Sequence, residues 1–249
     1  MDAAAHLDAL QREGSLLAGT AVGDLTLTVP SCPQWTVAQL VGHTGWVHRW
    51  VSATLRADPA TPPSPKTIEA APTGPDVLAW YRQALDEVIL SLTEVDPART
   101  YKTFAGPRDG YWWARRMAHE AGMHRWDAQN ATGGAAPFDP VFAADGVEEA
   151  LDTYVLLRFD HRAFESSGQT IHLHATDTPD TGGGHGGEWM LTMQPEAVVW
   201  ERAHGKGDVA LRGSTGDLLL FLMSRVGPDV FEVFGDRSLA ERWQAAANF

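Results

Sequence analysis

The sequence predicts a two-domain α+β protein, with a four-helix bundle over residues 1–135 and an α+β module over residues 141–249. In the first half, apolar residues recur at helical spacing in four segments. In the second half, short runs of alternating apolar and polar residues are mixed with helical segments. A proline-rich stretch over 57–75 separates the second helix from the third. Four helices with one long connection are typical of a bundle, and residues 134–140 should link it to the second domain.

Each helix of the first half has its own pattern or boundary. Residues 2–17 carry spaced apolar positions and little that breaks a helix. The second helix begins at Thr36, which with Gln39 has the spacing of a capping box. Its apolar stripe consists of Val37, Leu40, Val47, Trp50 and Val51. A third amphipathic helix is expected over 76–94, and a fourth from about 112 to 131, where a Thr-Gly-Gly sequence ends it.

The second half predicts a module of helices and strands. A helix near 141–158 should precede strands at 171–174, 189–193, 198–201 and 208–213. A helix over 214–225, a strand over 230–234 and a closing helix over 237–247 complete the module. The glycine-rich segment 182–187 lacks a phosphate-loop pattern and should be a flexible loop. His172 and His174 share one strand face, which we interpret as solvated because no third ligand is in view.

The composition excludes several classes of function. A formal net charge of −13 without a cluster of lysine and arginine argues against nucleic-acid binding. No apolar run approaches the length of a membrane span, and no signal sequence precedes the first helix, so we expect a cytoplasmic protein without a membrane partner. The single cysteine, Cys32, excludes an internal disulfide and fits a reducing compartment. We assign it no chemistry.

Three residues of the predicted bundle form a candidate metal site. Glu120 and His124 lie four residues apart on the fourth helix, about 40° apart around its axis, so both side chains can reach one ion. His43 lies inside the apolar stripe of the second helix. A histidine there is more often a core residue, and a Glu-His pair also occurs on solvated helix faces. Together on facing helices, however, they predict two imidazoles, one carboxylate and an open position for a catalytic ion.

Neighbouring residues are excluded from this ligand set or given other roles. His119 is about 140° from His124 around the same helix, and His48 is about 140° from His43, so neither should join the ion. We expect His48 to pack or to line the mouth of the pocket. Arg125 and Asp127 should pair with neighbouring charges, although Asp127 could instead accept a hydrogen bond from a ligating imidazole.

The same segments resemble a known family. Residues 35–37 (Trp-Thr-Val), 40–45 (Leu-Val-Gly-His-Thr-Gly) and 120–127 (Glu-Ala-Gly-Met-His-Arg-Trp-Asp) resemble the mycothiol-dependent maleylpyruvate isomerase family, within the DinB-like superfamily of metal-binding bundles. Residues 211–220, and onward to Arg225, are similar to that family's C-terminal α+β domain, which is likened to sterol-carrier folds. The resemblance spans nearly the whole chain.

The resemblance implies an enzyme with a divalent ion, zinc being favoured, on His43, Glu120 and His124. It also implies mycothiol, a low-molecular-weight thiol, as cosubstrate and a small electrophile as substrate, with a carboxylate as one option. Either an isomerase or an S-transferase would use the metal-activated thiolate. Arg225 could bind a carboxylate or stabilise an enolate, or it could only favour the end of its helix.

Two other functions remain open from the sequence. A metal-dependent hydrolase of the DinB-like superfamily would activate water instead of a thiol, although no free carboxylate is clearly placed as its base. A non-catalytic metal-binding stress-response protein would keep the bundle and lose the chemistry. The intact set of His43, Glu120 and His124 argues against this last alternative.

Overall fold

The computed structural model describes residues 1–178 and 187–247. The chain divides into two compact units, Met1–Pro137 and Phe138–Phe249. The first is helical and the second combines helices with a β-sheet. The predicted flexible loop over 182–187 lies, except for Gly187, outside the described residues. None of the helices in the described part of the chain is long and apolar enough to cross a membrane.

The first unit, every residue of which is described, is a four-helix bundle. Its long helices are α1 (Ala3–Thr20), α2 (Val37–Arg56), α3 (Asp76–Glu94) and α4 (Gly110–Ala131). Helix α1 packs against α3 and α4, and α2 also packs against α3 and α4. Each helix lies where the sequence predicts it, within a few residues at either end.

Local side-chain bonds explain where these helices begin. The capping box is confirmed, since Thr36 Oγ1 accepts from the Gln39 N–H and the Gln39 side chain accepts from the Thr36 N–H. Asp2 and Asp109 cap α1 and α4 in the same way, each accepting a backbone N–H three residues ahead. The long connection is confirmed as well, since residues 57–75 contain only one short 3₁₀ turn, Pro65–Thr67.

Glycines allow α2 to approach its neighbours closely around His43. A Cβ on Gly42 would lie 2.9 Å from the Cβ of Ala71, in the long connection. A Cβ on Gly45 would lie 2.5 Å from the Trp80 ring, on α3. Both distances are shorter than van der Waals contact, so the glycines on either side of His43 set how tightly this part of the bundle packs.

Two small hairpins of the first unit were not predicted from the sequence. Strand β1 (Thr28–Val29) pairs with β2 (Cys32–Thr36), and β3 (Thr100–Thr103) pairs with β4 (Gly106–Asp109). These strands are too short for alternation to be distinctive, and β4 contains a proline, which disfavours a strand interior. The first hairpin leads directly into α2 and the second into α4, so each fixes the entrance to a helix that carries site residues.

Among the described residues of the second unit, five strands form one sheet in the order β7-β6-β5-β8-β9. They are β5 (Gln169–Ala175), β6 (Glu188–Gln194), β7 (Ala197–Glu201), β8 (Val209–Gly213) and β9 (Glu232–Gly235). Strands β5 and β8 are parallel and the other pairs antiparallel. The helices are α5 (Pro140–Glu149), α6 (Leu156–Arg158), α7 (His161–Phe164), α8 (Thr215–Leu222) and α9 (Arg237–Ala246), with a π-helical turn, Ala150–Val155, joining α5 to α6. The predicted helix near 141–158 corresponds to this α5–π–α6 segment.

Two sequence interpretations in this unit were wrong. The helix predicted over 214–225 ends at Leu222, because Ser224 adopts a left-handed conformation with φ of 59°. The Ser224 N–H then bonds to the Phe221 carbonyl and the Arg225 N–H to the Leu220 carbonyl, which closes the helix end. The residue in this left-handed position is usually glycine, so a serine there does not mark the end of the helix in the sequence. The strand face with His172 is not solvated either, since His172 is 4% exposed.

Candidate metal centre

The three predicted ligands converge on one point of the bundle. His43 Nε2 lies 3.4 Å from Glu120 Oε1, and His124 Nε2 lies 3.3 Å from the same oxygen. All three donor atoms lie within 4.8 Å of one another. Glu120 and His124 are buried and His43 is partly exposed, so the site is interior but reachable from one side.

These separations suit a metal ion. Zinc binds histidine nitrogen and carboxylate oxygen at about 2.0–2.1 Å, and tetrahedral ligands at that distance are about 3.3 Å apart. The two separations in the structure, 3.4 and 3.3 Å, agree with this value. Two imidazoles and one carboxylate would leave a fourth position for a substrate. The donor set therefore fits zinc or a similar divalent ion.

Arg116 holds the second oxygen of Glu120. Its guanidinium donates to Glu120 Oε2 at 2.8 Å from one turn earlier on α4, and both side chains are buried. The carboxylate is thereby oriented with Oε1 toward the two histidines. Arg116 also keeps negative charge on Glu120, which a cation ligand requires.

Asp127 orients the ring of His124. The Asp127 carboxylate accepts from His124 Nδ1 at 3.1 Å and from Ser31 Oγ at 2.5 Å. Nε2 of the same ring faces Glu120. A carboxylate can only accept, so Nδ1 carries the proton of the bond to Asp127 and Nε2 is the nitrogen that would bind an ion. Of the two roles considered for Asp127, the structure supports that of acceptor for the imidazole.

The carboxylate and His124 determine each other's ionisation. Burial disfavours charged His124, but the charge of Glu120 and the bonds with Asp127 and Glu120 outweigh burial and raise the pKa of His124 to about 9. Burial also disfavours ionised Glu120, yet His124, His43 and Arg116 together hold its pKa well below the ordinary value. Without an ion the site keeps a carboxylate and a proton on His124, and a bound cation would take that proton's place.

A cleft opens beside His43. It has a volume of about 720 Å³ and is lined by Trp35, Gln39, His43, Trp46, Lys66 and Ile68, among others. The Trp35 ring packs on the His43 ring, with centroids 4.7 Å apart, and comes from the hairpin that precedes α2. The volume lies in the range of small-molecule sites, so a ligand of that size could reach the exposed side of His43.

Two family models match the two halves of the chain. A family model described as the mycothiol maleylpyruvate isomerase N-terminal domain matches residues 6–129, and the model of that family's C-terminal domain matches residues 142–242. The chain belongs to the mycothiol maleylpyruvate isomerase family. This membership confirms the resemblance and the two-domain α+β fold predicted from the sequence, and it classes the chain with enzymes.

Solved structures of this family share the fold. A crystal structure of the mycothiol-dependent maleylpyruvate isomerase is 11% identical to the chain, covers 94% of it and 93% of its own length, and has a TM-score of 0.61. A histidine-to-alanine mutant of the isomerase is 12% identical, with the same coverage and a TM-score of 0.64. No curated protein sequence matches the chain significantly.

His119 and His48, the two histidines excluded from the predicted ligand set, lie outside the cluster of His43, Glu120 and His124. His119 points away from His124 and packs near the His6 ring, with centroids 6.2 Å apart. His48 is fully buried against Tyr81, and its ring nitrogens have no hydrogen-bond partner among the described residues. Burial lowers the pKa of His48 to about 4, although the Glu120 charge opposes this shift, so His48 is neutral at physiological pH.

Arg225, the remaining predicted site residue, belongs to the second unit. It follows the end of α8, and its guanidinium donates to the Met223 carbonyl at 2.7 Å. The side chain is half-buried.

Sequence reasoning missed two residues that hold the ligands in place. Arg116 lies four residues before Glu120, a spacing that predicts an ion pair on a helix, so a signal was present. Ser31 lies 96 residues from Asp127, and no local pattern links the two. Their bond exists only because the β1–β2 hairpin packs against α4.

Proposed function

We propose that this chain is a metal-dependent, mycothiol-using enzyme whose ion is bound by His43, Glu120 and His124. The observation that carries the proposal is the position of His43, which belongs to the ligand set and also lines the 720 Å³ cleft. A molecule in that cleft could therefore meet the open coordination position. Membership of a mycothiol-linked family supports a thiol as one such molecule.

The chain's residues would prepare this position before any ligand enters. Arg116 fixes Glu120, and Asp127 fixes His124, so two of the three ligands are held by buried hydrogen bonds. Trp35 covers one face of His43 and limits its movement. A zinc ion bound there would lower the pKa of a thiol that coordinates it, so that the thiolate is available at neutral pH.

The thiolate can serve two reactions that begin with the same step. Addition of the sulfur to a cis double bond conjugated with a carbonyl forms a C–S bond and moves the electron pair onto the carbonyl as an enolate. Rotation about the new single bond, followed by expulsion of the thiolate, gives the trans isomer and returns the thiol. If the enolate carbon is protonated instead, the sulfur stays attached and the reaction is an S-transfer.

Arg225 is our proposal for the residue that stabilises charge on the substrate. An arginine can hold a carboxylate through two parallel hydrogen bonds, or donate to a developing enolate. The turn that ends α8 fixes its backbone, because the Arg225 N–H bonds to Leu220. Arg225→Lys should keep the charge and lose the paired geometry, so kcat should fall while the metal content stays unchanged.

One assay tests the function directly. Zinc-loaded protein is incubated with maleylpyruvate, with and without mycothiol, and both the cis substrate and the free thiol are followed over time. A thiol requirement without consumption identifies an isomerase, and consumption in step with substrate loss identifies an S-transferase. Turnover at the full rate without any thiol would contradict the proposal, and cleavage products in that reaction would identify a hydrolase. No turnover of several cis-unsaturated acids, in protein with a full metal complement, would also contradict it.

A further inference from the structure

A second group of histidines lies on the sheet of the C-terminal domain. On β5, Ile171 and Leu173 are fully buried on one face, so His172 and His174 lie on the other. Glu188, at the start of β6, is the cross-strand partner of His174. Strand pairing therefore brings a carboxylate beside two imidazoles on one face of the sheet.

One oxygen of Glu188 is the centre of this group. Glu188 Oε2 lies 2.9 Å from His172 Nε2 and 3.8 Å from His174 Nδ1. A third imidazole, that of His204, comes within 2.6 Å of the same oxygen through Nδ1. The separation from His174 is too long for a hydrogen bond, but it is close to the spacing of about 3.3 Å between neighbouring ligands of a tetrahedral zinc ion.

The segment that carries His204 is held at both ends. At one end Arg202 donates to Glu148, and at the other the Asp208 carboxylate accepts from the N–H and the hydroxyl of Thr170. Gly207 passes so near β5 that an added Cβ would lie 3.0 Å from the backbone nitrogen of His172. His204 is therefore presented to Glu188 by a fixed segment.

Two residues of the group are largely buried and two are more exposed. The side chains of His172 and Glu188 are 6% and 17% exposed, whereas those of His174 and His204 are 32% and 68% exposed. An ion arriving from solvent would thus meet two accessible imidazoles first and two packed ligands behind them. Arg212, which lies opposite His174 on β8, donates to Glu232 on β9 at 2.9 Å.

We propose that His172, His174 and Glu188 form a second zinc site in the C-terminal domain, with His204 as its fourth ligand. Three imidazoles and one carboxylate match the ligand preference of zinc. The donor atoms of His172, His174 and Glu188 lie within 4.8 Å of one another. The ion would join β5, β6 and the segment 202–208, so its role is structural. This site is separate from the bundle site and does not depend on the proposed function.

Zinc stoichiometry tests the proposal in the full-length, tag-free protein. The background is His43→Ala/His124→Ala, which removes the bundle ligands and leaves the sheet cluster intact. After equilibrium dialysis against zinc, the wild type should hold about two ions per chain and the background about one. Adding Glu188→Gln should remove the remaining ion, whereas Glu201→Gln, the loss of an exposed carboxylate on β7, should not.

A background variant without zinc, or zinc binding unaffected by Glu188→Gln, would overturn the proposal. If Glu188→Gln disturbs the fold, as judged by circular dichroism, the more exposed His174→Gln replaces it and should also release the ion. In the wild type, zinc should raise the melting temperature through this site, and Glu188→Gln should remove that part of the increase. If the His43→Ala/His124→Ala variant still bound two ions, the bundle site would be disproved, and the proposed site in the C-terminal domain would be unaffected.

Discussion

Two histidine clusters among the described residues, the bundle site and the sheet cluster, use the same ligand types but are built differently. The bundle site draws His43 from α2 and Glu120 and His124 from α4, and further buried side chains hold two of these ligands. The sheet cluster draws its residues from paired strands and one connecting segment, and Glu188 lies beside all three imidazoles. The proposed bundle site thus has supporting bonds behind its ligands and a cleft in front, which suits catalysis, whereas the arrangement of the sheet cluster suits a structural role.

The difference predicts which site binds metal more tightly. Supporting hydrogen bonds usually contribute about 10- to 100-fold to metal affinity, and the bundle site has them on both Glu120 and His124. The exposed side chains of His174 and His204 lose more freedom when they bind an ion. We therefore expect the bundle site to fill first as zinc is added at about pH 9, where the His124 proton no longer competes with the ion.

Removal of a bundle ligand should have the largest effect. His124→Ala or His43→Ala leaves two ligands, so affinity at that site and thiol-dependent turnover should both fall by more than the roughly 100-fold expected for a supporting residue. His119→Ala is the matched control, because it removes a histidine from the same helix but leaves His43, Glu120 and His124 in place. Metal loss in the His119 variant but not in the His124 variant would contradict the assignment of the ligands.

Loss of a supporting bond should have an intermediate effect. Asp127→Asn keeps the shape of the side chain but weakens the bond to His124, so zinc affinity at the bundle site should fall about 10- to 100-fold. Ser31→Ala, which removes the second partner of Asp127, should have a smaller effect in the same direction. A competition titration with a chelator measures both, and the zinc affinity of the sheet cluster should stay unchanged.

Proton release should distinguish the two sites. The pKa of His124 is raised to about 9, so below that pH zinc must displace its proton, and the apparent affinity should fall about tenfold for each pH unit. The pKa of His172 is lowered, so above pH 7 this residue adds no such dependence at the sheet cluster. Titration calorimetry in buffers of different ionisation enthalpy counts the protons, and release between pH 7 and 9 that does not depend on His124 would contradict this account.

The smallest effect is expected at Cys32. In the proposed function the reactive sulfur comes from the cosubstrate, and Cys32 packs beside the apolar core of the bundle. Cys32→Ser should therefore leave thiol-dependent turnover within about twofold of the wild type and cost about 1 kcal/mol of stability. A large loss of turnover with fold and metal content intact would mean that the protein's own thiol takes part.

The same contrast explains what the sequence could predict. Glu120 and His124 share a helix face at a known spacing, and Thr36 with Gln39 marks the start of α2, so helical geometry was sufficient. For His172 and His174 the shared strand face was predicted, but the partners were not. Glu188 and His204 are 14 and 30 residues from His174, and only strand pairing and the path of the segment 202–208 bring them together. Contacts between distant segments carry no local pattern.

The central claim, that an ion on His43, Glu120 and His124 receives the thiol, can be tested with cobalt in place of zinc. The background is Glu188→Gln/His174→Gln, so that the sheet cluster no longer binds cobalt, and mycothiol is then added while the near-ultraviolet spectrum is recorded. We expect a sulfur-to-cobalt charge-transfer band that saturates at about one thiol per chain, is absent in a further His124→Ala variant and persists in a further His119→Ala variant. A cobalt-loaded protein that turns over substrate with mycothiol, yet shows no such band, would contradict the claim.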